Sequence, residues 1–209
     1  MQLRNYYLSV GKKELFVDVN VEFRNGTICN LLGGNGVGKS SFAKSLIGML
    51  NYKGEVIYEG DLCVIGSYTN VPSDLTINNL VKLVKKKCSQ SVFDELYESL
   101  RISEINPSLK IRKMSDGQKQ KIKLLSFLSS NPRTIILDEF TASLDKKSML
   151  DVYNFLQKYN EKRRVLIINI THNIMDLEHL GGEYYYVTKK NIVSYSDKEK
   201  LLEDYVNLN

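Results

Sequence analysis

Eight consecutive residues, Gly33-Gly34-Asn35-Gly36-Val37-Gly38-Lys39-Ser40, hold the most readable chemistry of the chain. Glycines at this spacing, followed by a lysine and a hydroxyl residue, let successive backbone N–H groups converge on one anion. Lys39 then reaches the β- and γ-phosphates of a nucleotide, and the Ser40 hydroxyl is a ligand for Mg2+. The complement is Thr134-Ile135-Ile136-Leu137-Asp138-Glu139, an apolar run that ends in two adjacent carboxylates. Asp138 is suited to hold Mg2+, directly or through water. Glu139, one residue on, is suited to polarise an attacking water near the γ-phosphate. His172 follows another apolar run, Val165 to Ile170, which places it at the carboxyl edge of a sheet where α/β folds bind ligands. It is a candidate donor to a γ-phosphate oxygen, or an orienter of the water. His179 falls in a helical pattern and reads as a surface or boundary residue.

These residues need a scaffold of alternating strands and helices, and the hydrophobic pattern provides one. Strands are expected over residues 2–8 and 15–21, joined by a turn at Gly11-Lys12-Lys13, and then over 27–32. A helix over 39–49 follows the glycine cluster, with short strands at 54–58 and 62–66. From Thr76 to Leu100 the apolar residues Ile77, Leu80, Val84, Val92, Leu96 and Leu100 recur at helical spacing. No strand is evident again until Thr134, so a helical insertion interrupts the α/β body, with Lys85-Lys86-Lys87 as its wet end. Strands at 134–137 and 165–168 and helices at 146–159 and 173–180 then resume the alternation. A hairpin over 184–187 and 192–193 and a helix over 197–205 close the chain. The predicted organisation is one α/β domain over 1–209, with helical residues about 70–115 inside it.

Composition narrows the class. The 209 residues include 29 Lys+Arg and 24 Asp+Glu, a formal net charge of +5, which is too modest to argue for nucleic acid. No run approaches the 18 or more apolar residues of a membrane helix, and MQLRNYYLSV lacks a secretory pattern. The expected location is the cytoplasm, at a membrane only if a partner holds it there. Cys29, Cys63 and Cys88 are scattered, without a CxxC, and read as small hydrophobes.

One further motif sharpens the reading. Met114-Ser115-Asp116-Gly117-Gln118 resembles the Leu-Ser-Gly-Gly-Gln signature of the ATP-binding cassette family. Thr141-Ala142-Ser143-Leu144-Asp145 is similar to that family's D-loop, and Ile170-Thr171-His172 to its switch histidine. With the glycine loop and the acidic strand end, five motifs stand in the family's order over nearly the whole chain. The resemblance implies a P-loop ATPase with a mixed central sheet, an N-terminal antiparallel β part, and a helical subdomain between phosphate loop and signature. It implies ATP and Mg2+ as cofactors and two cassettes facing head to tail. Each ATP would lie in the Gly33–Ser41 loop of one subunit, covered by Ser115, Gly117 and Gln118 of the other. Ser41 belongs to that loop, and Asp145 would sit near the seam. A separate transmembrane permease is the implied partner, with no nucleic acid. The short span between Lys39 and Ser115 leans toward export of a peptide, drug or lipid-like substrate over import.

Three departures from the family pattern stand out. Asp116 replaces the first signature glycine, and a carboxylate beside a γ-phosphate is repelled unless it points away or meets a lysine. The glutamine usual after the 62–66 strand is missing, which leaves Thr69 or Asn70 nearby, with Asn70 a shorter reach to a metal-bound water. Val10 stands where an aromatic usually stacks on adenine, with Tyr7 and Phe16 as other candidate faces. A catalytically weak or regulatory transporter subunit is the alternative these departures favour.

Overall fold

The computed structural model describes residues 1–208. Its first layer is a small antiparallel sheet of β1 (Gln2–Val10), β2 (Lys13–Glu22) and β4 (Tyr52–Ile57), in the order β2-β1-β4. Its second is a six-stranded sheet of β3 (Ile28–Leu32), β5 (Leu62–Ile65), β6 (Thr134–Asp138), β7 (Leu166–Thr171), β8 (Glu183–Val187) and β9 (Ile192–Tyr195). The order is β5-β6-β7-β3-β8-β9, parallel from β5 to β8, with β9 turning back antiparallel. β3, β6 and β7 are buried along their whole length, and so they read as continuous apolar runs rather than alternating ones.

The helices are α1 (Lys39–Leu46), α2 (Ile77–Lys87), α3 (Gln90–Ser99), α4 (Asp116–Leu128), α5 (Lys146–Arg163), α6 (Ile174–Leu180) and α7 (Lys198–Leu208). Between the two sheets, α1 is held by an aromatic cluster. Tyr6, Phe16 and Phe42 are fully buried, with ring centroids 5.8–5.9 Å apart. The Tyr6 hydroxyl donates to Ser45 Oγ (2.7 Å), which donates in turn to the Phe42 carbonyl (2.7 Å). This use of Phe16 removes it as a face for a base. On the other side of the large sheet, α2 to α6 surround a core that includes Ile77, Leu80, Phe93, Leu96, Leu125 and Leu156.

Several boundaries differ from expectation for local reasons. α1 stops at Leu46 rather than residue 49, because Gly48 turns to φ 76 and its N–H closes on the Ser45 carbonyl. β7 runs on to Thr171, as β6 extends the parallel ladder to Ile170 and β3 carries it to Thr171. α5 continues to Arg163 until Arg164 takes a left-handed conformation and caps it. Lys85, Lys86 and Lys87 are exposed, as expected. Cys29 and Cys63 are buried, and burial pushes both thiols up to about 12, which keeps them protonated and inert. Among the described residues no helix is long and apolar enough to cross a membrane.

Candidate functional site

The glycine loop, Asp138, Glu139 and His172 lie at the carboxyl ends of β3, β6 and β7 or just beyond them, with Lys39, Ser40 and Ser41 opening α1. The loop after β3 is sterically committed to glycine. A Cβ on Gly33 would meet Val187 Cβ at 3.0 Å; one on Gly38 would meet Leu15 and Phe16 at 3.1 Å, at a φ of 114. Gly38 passes directly into α1, whose first residue is Lys39. The Lys39 side chain is buried and its ammonium donates to the Gly33 (2.7 Å) and Gly34 (2.9 Å) carbonyls. Burial pulls its pKa down, while the charges of Glu139 and Asp138 push it back up. A cation so enclosed is poised for a polyanion, which compensates the desolvation.

A cleft of about 320 Å³ opens beside this loop, lined by Val10, Lys13, Asn35, Gly36, Ser41 and Glu139 among others. Val10 is exposed there, so of the three candidate faces for a base it is the one beside the phosphate loop. Tyr7 is engaged with Glu14 through its hydroxyl (3.1 Å). Lys13, not singled out from sequence, donates to the Gly36 carbonyl (3.0 Å) and ties the β1–β2 hairpin to the loop.

The Ser40 hydroxyl donates to Asp138 Oδ1 (3.1 Å), which joins the start of α1 to the end of β6. Burial raises the pKa of Asp138, the hydroxyls of Ser40 and Tyr68 oppose the rise, and the charge of Glu139 adds to it. Two hard oxygen donors this close suit Mg2+, which takes a few protein ligands and completes its shell with phosphate and water. Among the described residues no group of three His, Cys, Asp or Glu forms a closed metal cage. Glu139 follows with φ 49, a left-handed conformation costing a non-glycine residue roughly 1–2 kcal/mol. Its N–H is held by the Ile170 carbonyl (2.9 Å). Its Oε1 accepts from His172 Nδ1 at 3.1 Å, and both groups are open to solvent. The turns after β6 and β7 thus bring the two predicted catalytic side chains into contact.

Behind this pair lies a polar network that sequence reasoning missed. Asp176, fully buried on α6, accepts hydrogen bonds from Thr141 (2.8 Å), Tyr153 (2.5 Å), Asn169 (3.3 Å) and Asn173 (3.4 Å). It ties the turn after Glu139 to the turn after His172. The only signal in the sequence is an acidic residue four places past His172 on a helical pattern. His179 is half-buried and stacks on Tyr153 at 5.1 Å, the boundary position expected.

The 114–118 motif forms the start of α4. Ser115 and Gln118 make a capping box: Ser115 Oγ accepts from the Gln118 N–H (3.3 Å) and Gln118 Oε1 from the Ser115 N–H (3.2 Å). Asp116 meets Lys119 (3.0 Å), one of the two arrangements that remove its conflict with a phosphate. Gly117 is pressed on α5, where a Cβ would come within 2.3 Å of Ser148 Oγ and 2.8 Å of Ser148 Cβ. Asp145 caps α5, accepting from the Ser148 N–H (3.0 Å) and hydroxyl (2.8 Å), contacts that hold its carboxyl below the usual range. Asn70 borders the cleft shared by Ser40 and Asp138, but its exposed side chain donates to the Ser67 carbonyl (3.2 Å). The residue that turns inward at Asp138 is Tyr68, which sequence reasoning passed over.

A phosphate loop, an acidic strand end, a histidine edge and a capped glycine-bearing helix on this mixed sheet define an ATP-binding cassette. The family model of the ABC transporter matches residues 16–142, and the chain belongs to that family. It is 39% identical over 210 residues to "Probable peptide export ATP-binding protein YydI" of Bacillus subtilis (strain 168), covering 99% of this chain and 100% of that protein. It is 25% identical over 177 residues to "Zinc import ATP-binding protein ZnuC" of Acinetobacter baylyi (strain ATCC 33305 / BD413 / ADP1), covering 83% of this chain and 68% of that protein. The fold is similar to the dimeric cassette MJ0796 in a post-hydrolysis state with ADP and Pi. The TM-score is 0.77 and the identity 20%, over 93% of this chain and 97% of that one. The chain is an ATP-binding, ATP-hydrolysing subunit of a transporter.

Proposed function

We propose that two copies of this cassette, or this one and a close relative, close on ATP and Mg2+ to drive a separate membrane permease that exports a peptide or a drug- or lipid-like molecule. The observation that carries the paired site is its division within one chain. Lys39, Ser40, Asp138, Glu139 and His172 gather around the phosphate loop, while the start of α4 offers its N–H groups from a separate element. The first four N–H groups of a capped helix, here those of Ser115 to Gln118, have no carbonyl partner within it, and the capping box satisfies the first and the fourth, Ser115 and Gln118. Asp116 and Gly117 N–H groups remain for an anion brought by the other cassette.

In this reading the Gly33–Ser41 loop, residues Gly33, Gly34, Asn35, Gly36, Val37, Gly38, Lys39, Ser40 and Ser41, wraps the phosphates. Val10 packs on the base. Ser40 and Asp138 hold Mg2+, which neutralises phosphate charge when bound. Glu139 takes a proton from the attacking water, and His172 steers Glu139 and senses the γ-phosphate. Ser115 and Gly117 cover the partner's ATP, with Gln118 keeping Ser115 in place and Asp145 keeping α5 in register at the seam. Residues 1–209 act as one domain, and helices within about 70–115 face the permease at the inner face of the membrane.

Export of a peptide is supported by the full-length likeness to a protein named for peptide export. Import has the weaker support of a likeness to a zinc import protein at lower identity and coverage. The discriminating experiment places the cassette and its co-purified membrane partner in vesicles and measures ATP-dependent movement of peptide. Peptide movement away from the cassette face is expected; solute movement toward it overturns the export reading.

A further inference from the structure

Among the described residues, two buried side-chain polar atoms lack a hydrogen-bond partner: the Tyr68 hydroxyl and Gln120 Oε1. Both stand around Asp138. Gln120 lines the cleft that Asp138 and Ser40 share. The Tyr68 ring approaches Asp138 across Gly66: a Cβ on Gly66 would touch Tyr68 Cε1 (3.1 Å) and Cζ (3.3 Å) and Asp138 Cβ (3.2 Å). The ring and the carboxylate therefore meet at Gly66, near enough for hydroxyl and carboxylate to interact, although the hydroxyl has no well-formed hydrogen bond. A buried hydroxyl left in this state destabilises the fold, so its retention asks for a purpose.

The ring is also held firmly. Lys44 of α1 places its ammonium 4.8 Å from the ring centroid. The turn carrying it is closed by Thr69 Oγ1, which accepts from the Gly66 N–H (2.8 Å). Lys123 of α4 donates to the Gly66 carbonyl (2.8 Å). A tyrosine fixed from α1, β6 and α4 together cannot be an idle surface group.

We propose that Tyr68 is the positioning residue for the metal-holding carboxylate, a part distinct from the reach to a metal-bound water expected of Asn70. In the loaded site its hydroxyl donates to Asp138, fixes the rotamer of that carboxylate beside Ser40, and links the metal site to the turn that Lys123 ties to α4. The proposal rests on the assignment of Ser40 and Asp138 to Mg2+.

The test uses the full chain with Tyr68→Phe, in a Glu139→Gln background that suppresses turnover. ATP affinity is titrated against Mg2+ concentration, and again with the metal chelated. Tyr68→Phe is expected to leave metal-free ATP binding unchanged and to keep or raise the melting temperature, since an unpartnered hydroxyl is removed. It is expected to need roughly tenfold more Mg2+ for the same tightening of ATP, the scale on which groups behind a metal ligand act. A merely structural tyrosine would instead move the melting temperature downward and leave the Mg2+ requirement alone, which overturns the proposal. Asp138→Asn separates the two levels. If it loses the Mg2+ dependence and Tyr68→Phe does not, the role of Tyr68 fails. If neither changes it, the metal assignment itself is overturned.

Discussion

The phosphate-loop end and the α4 end of this cassette spend their side chains in opposite ways. At the phosphate loop the polar groups point into a cleft: Lys39 is enclosed by loop carbonyls, Ser40 meets Asp138, and Glu139 meets His172. At the start of α4 they are consumed locally, with Ser115 and Gln118 capping the helix, Asp116 paired to Lys119, and Asp145 capping α5. What the second end has left to offer is backbone N–H. On the proposed reading, one end would act through side-chain identity and the other through the position of a helix terminus. Substitutions should therefore fail differently at the two ends.

The largest effect belongs to Glu139→Gln. If Glu139 takes the water proton as proposed, its loss should lower ATP turnover by about 100- to 10,000-fold while binding persists. Turnover assays beside nucleotide titration check this; retained turnover would move the base to another residue. Lys39→Ala comes next. Charge-assisted bonds to phosphate are each worth about 1.5–3 kcal/mol, so ATP affinity should fall roughly 10- to 100-fold. Equal affinity in variant and parent would break the reading of the loop.

At the other end the corresponding experiment is steric. Gly117→Ala would drive a methyl group into Ser148, whose Cβ is 2.8 Å from where the new carbon would lie. Overpacking of this kind costs about 1–3 kcal/mol and should lower the melting temperature by several degrees. Because α4 and α5 must part, ATP-driven pairing should weaken too. Ser148→Gly in the same chain should recover part of both. If Gly117→Ala leaves pairing intact, the position of the α4 terminus does not matter and the contrast between the two ends dissolves.

The same contrast explains what the sequence could and could not show. The phosphate end was legible because its side chains are its function, and because β3, β6 and β7 are buried on both faces and announce themselves as apolar runs. The capped helix of the signature was legible as a motif, but its internal use of Ser115, Gln118 and Asp145 was not, since capping depends on where the helix begins. Tyr68 was hidden because its direction is set by the Gly66–Thr69 turn and by Lys123 reaching from a helix far along the chain. Asp176 was hidden likewise, as its four donors come from β7, α5 and two turns. Periodicity locates elements; it does not locate partners that only tertiary packing brings together.

The smallest effect, and the finest test of the comparison, lies at Asp116. Its pair with Lys119 is exposed, at 55% and 39% of the two side chains, so the bond itself is worth well under about 1 kcal/mol. In the single chain the carboxylate also sits in the first turn of α4, where a negative charge gains about 0.3–1 kcal/mol from the helix dipole. Asp116→Asn should therefore lower stability by a few tenths of a kcal/mol. In the proposed closed pair the sign should reverse, because the same charge would then face a polyphosphate across the seam. Like charges a few ångströms apart in a wet interface repel by about 1 kcal/mol, so the variant should pair about fivefold more tightly with ATP present. That gain should shrink as salt is added. Sedimentation of the Glu139→Gln chain with ATP and Mg2+, at low and high ionic strength, reads both effects. A tighter pair at low salt confirms that α4 presents its terminus to the other cassette's phosphates. No change at either salt concentration means that Lys119 already neutralises the carboxylate, and weaker pairing means that Asp116 makes a favourable contact across the seam.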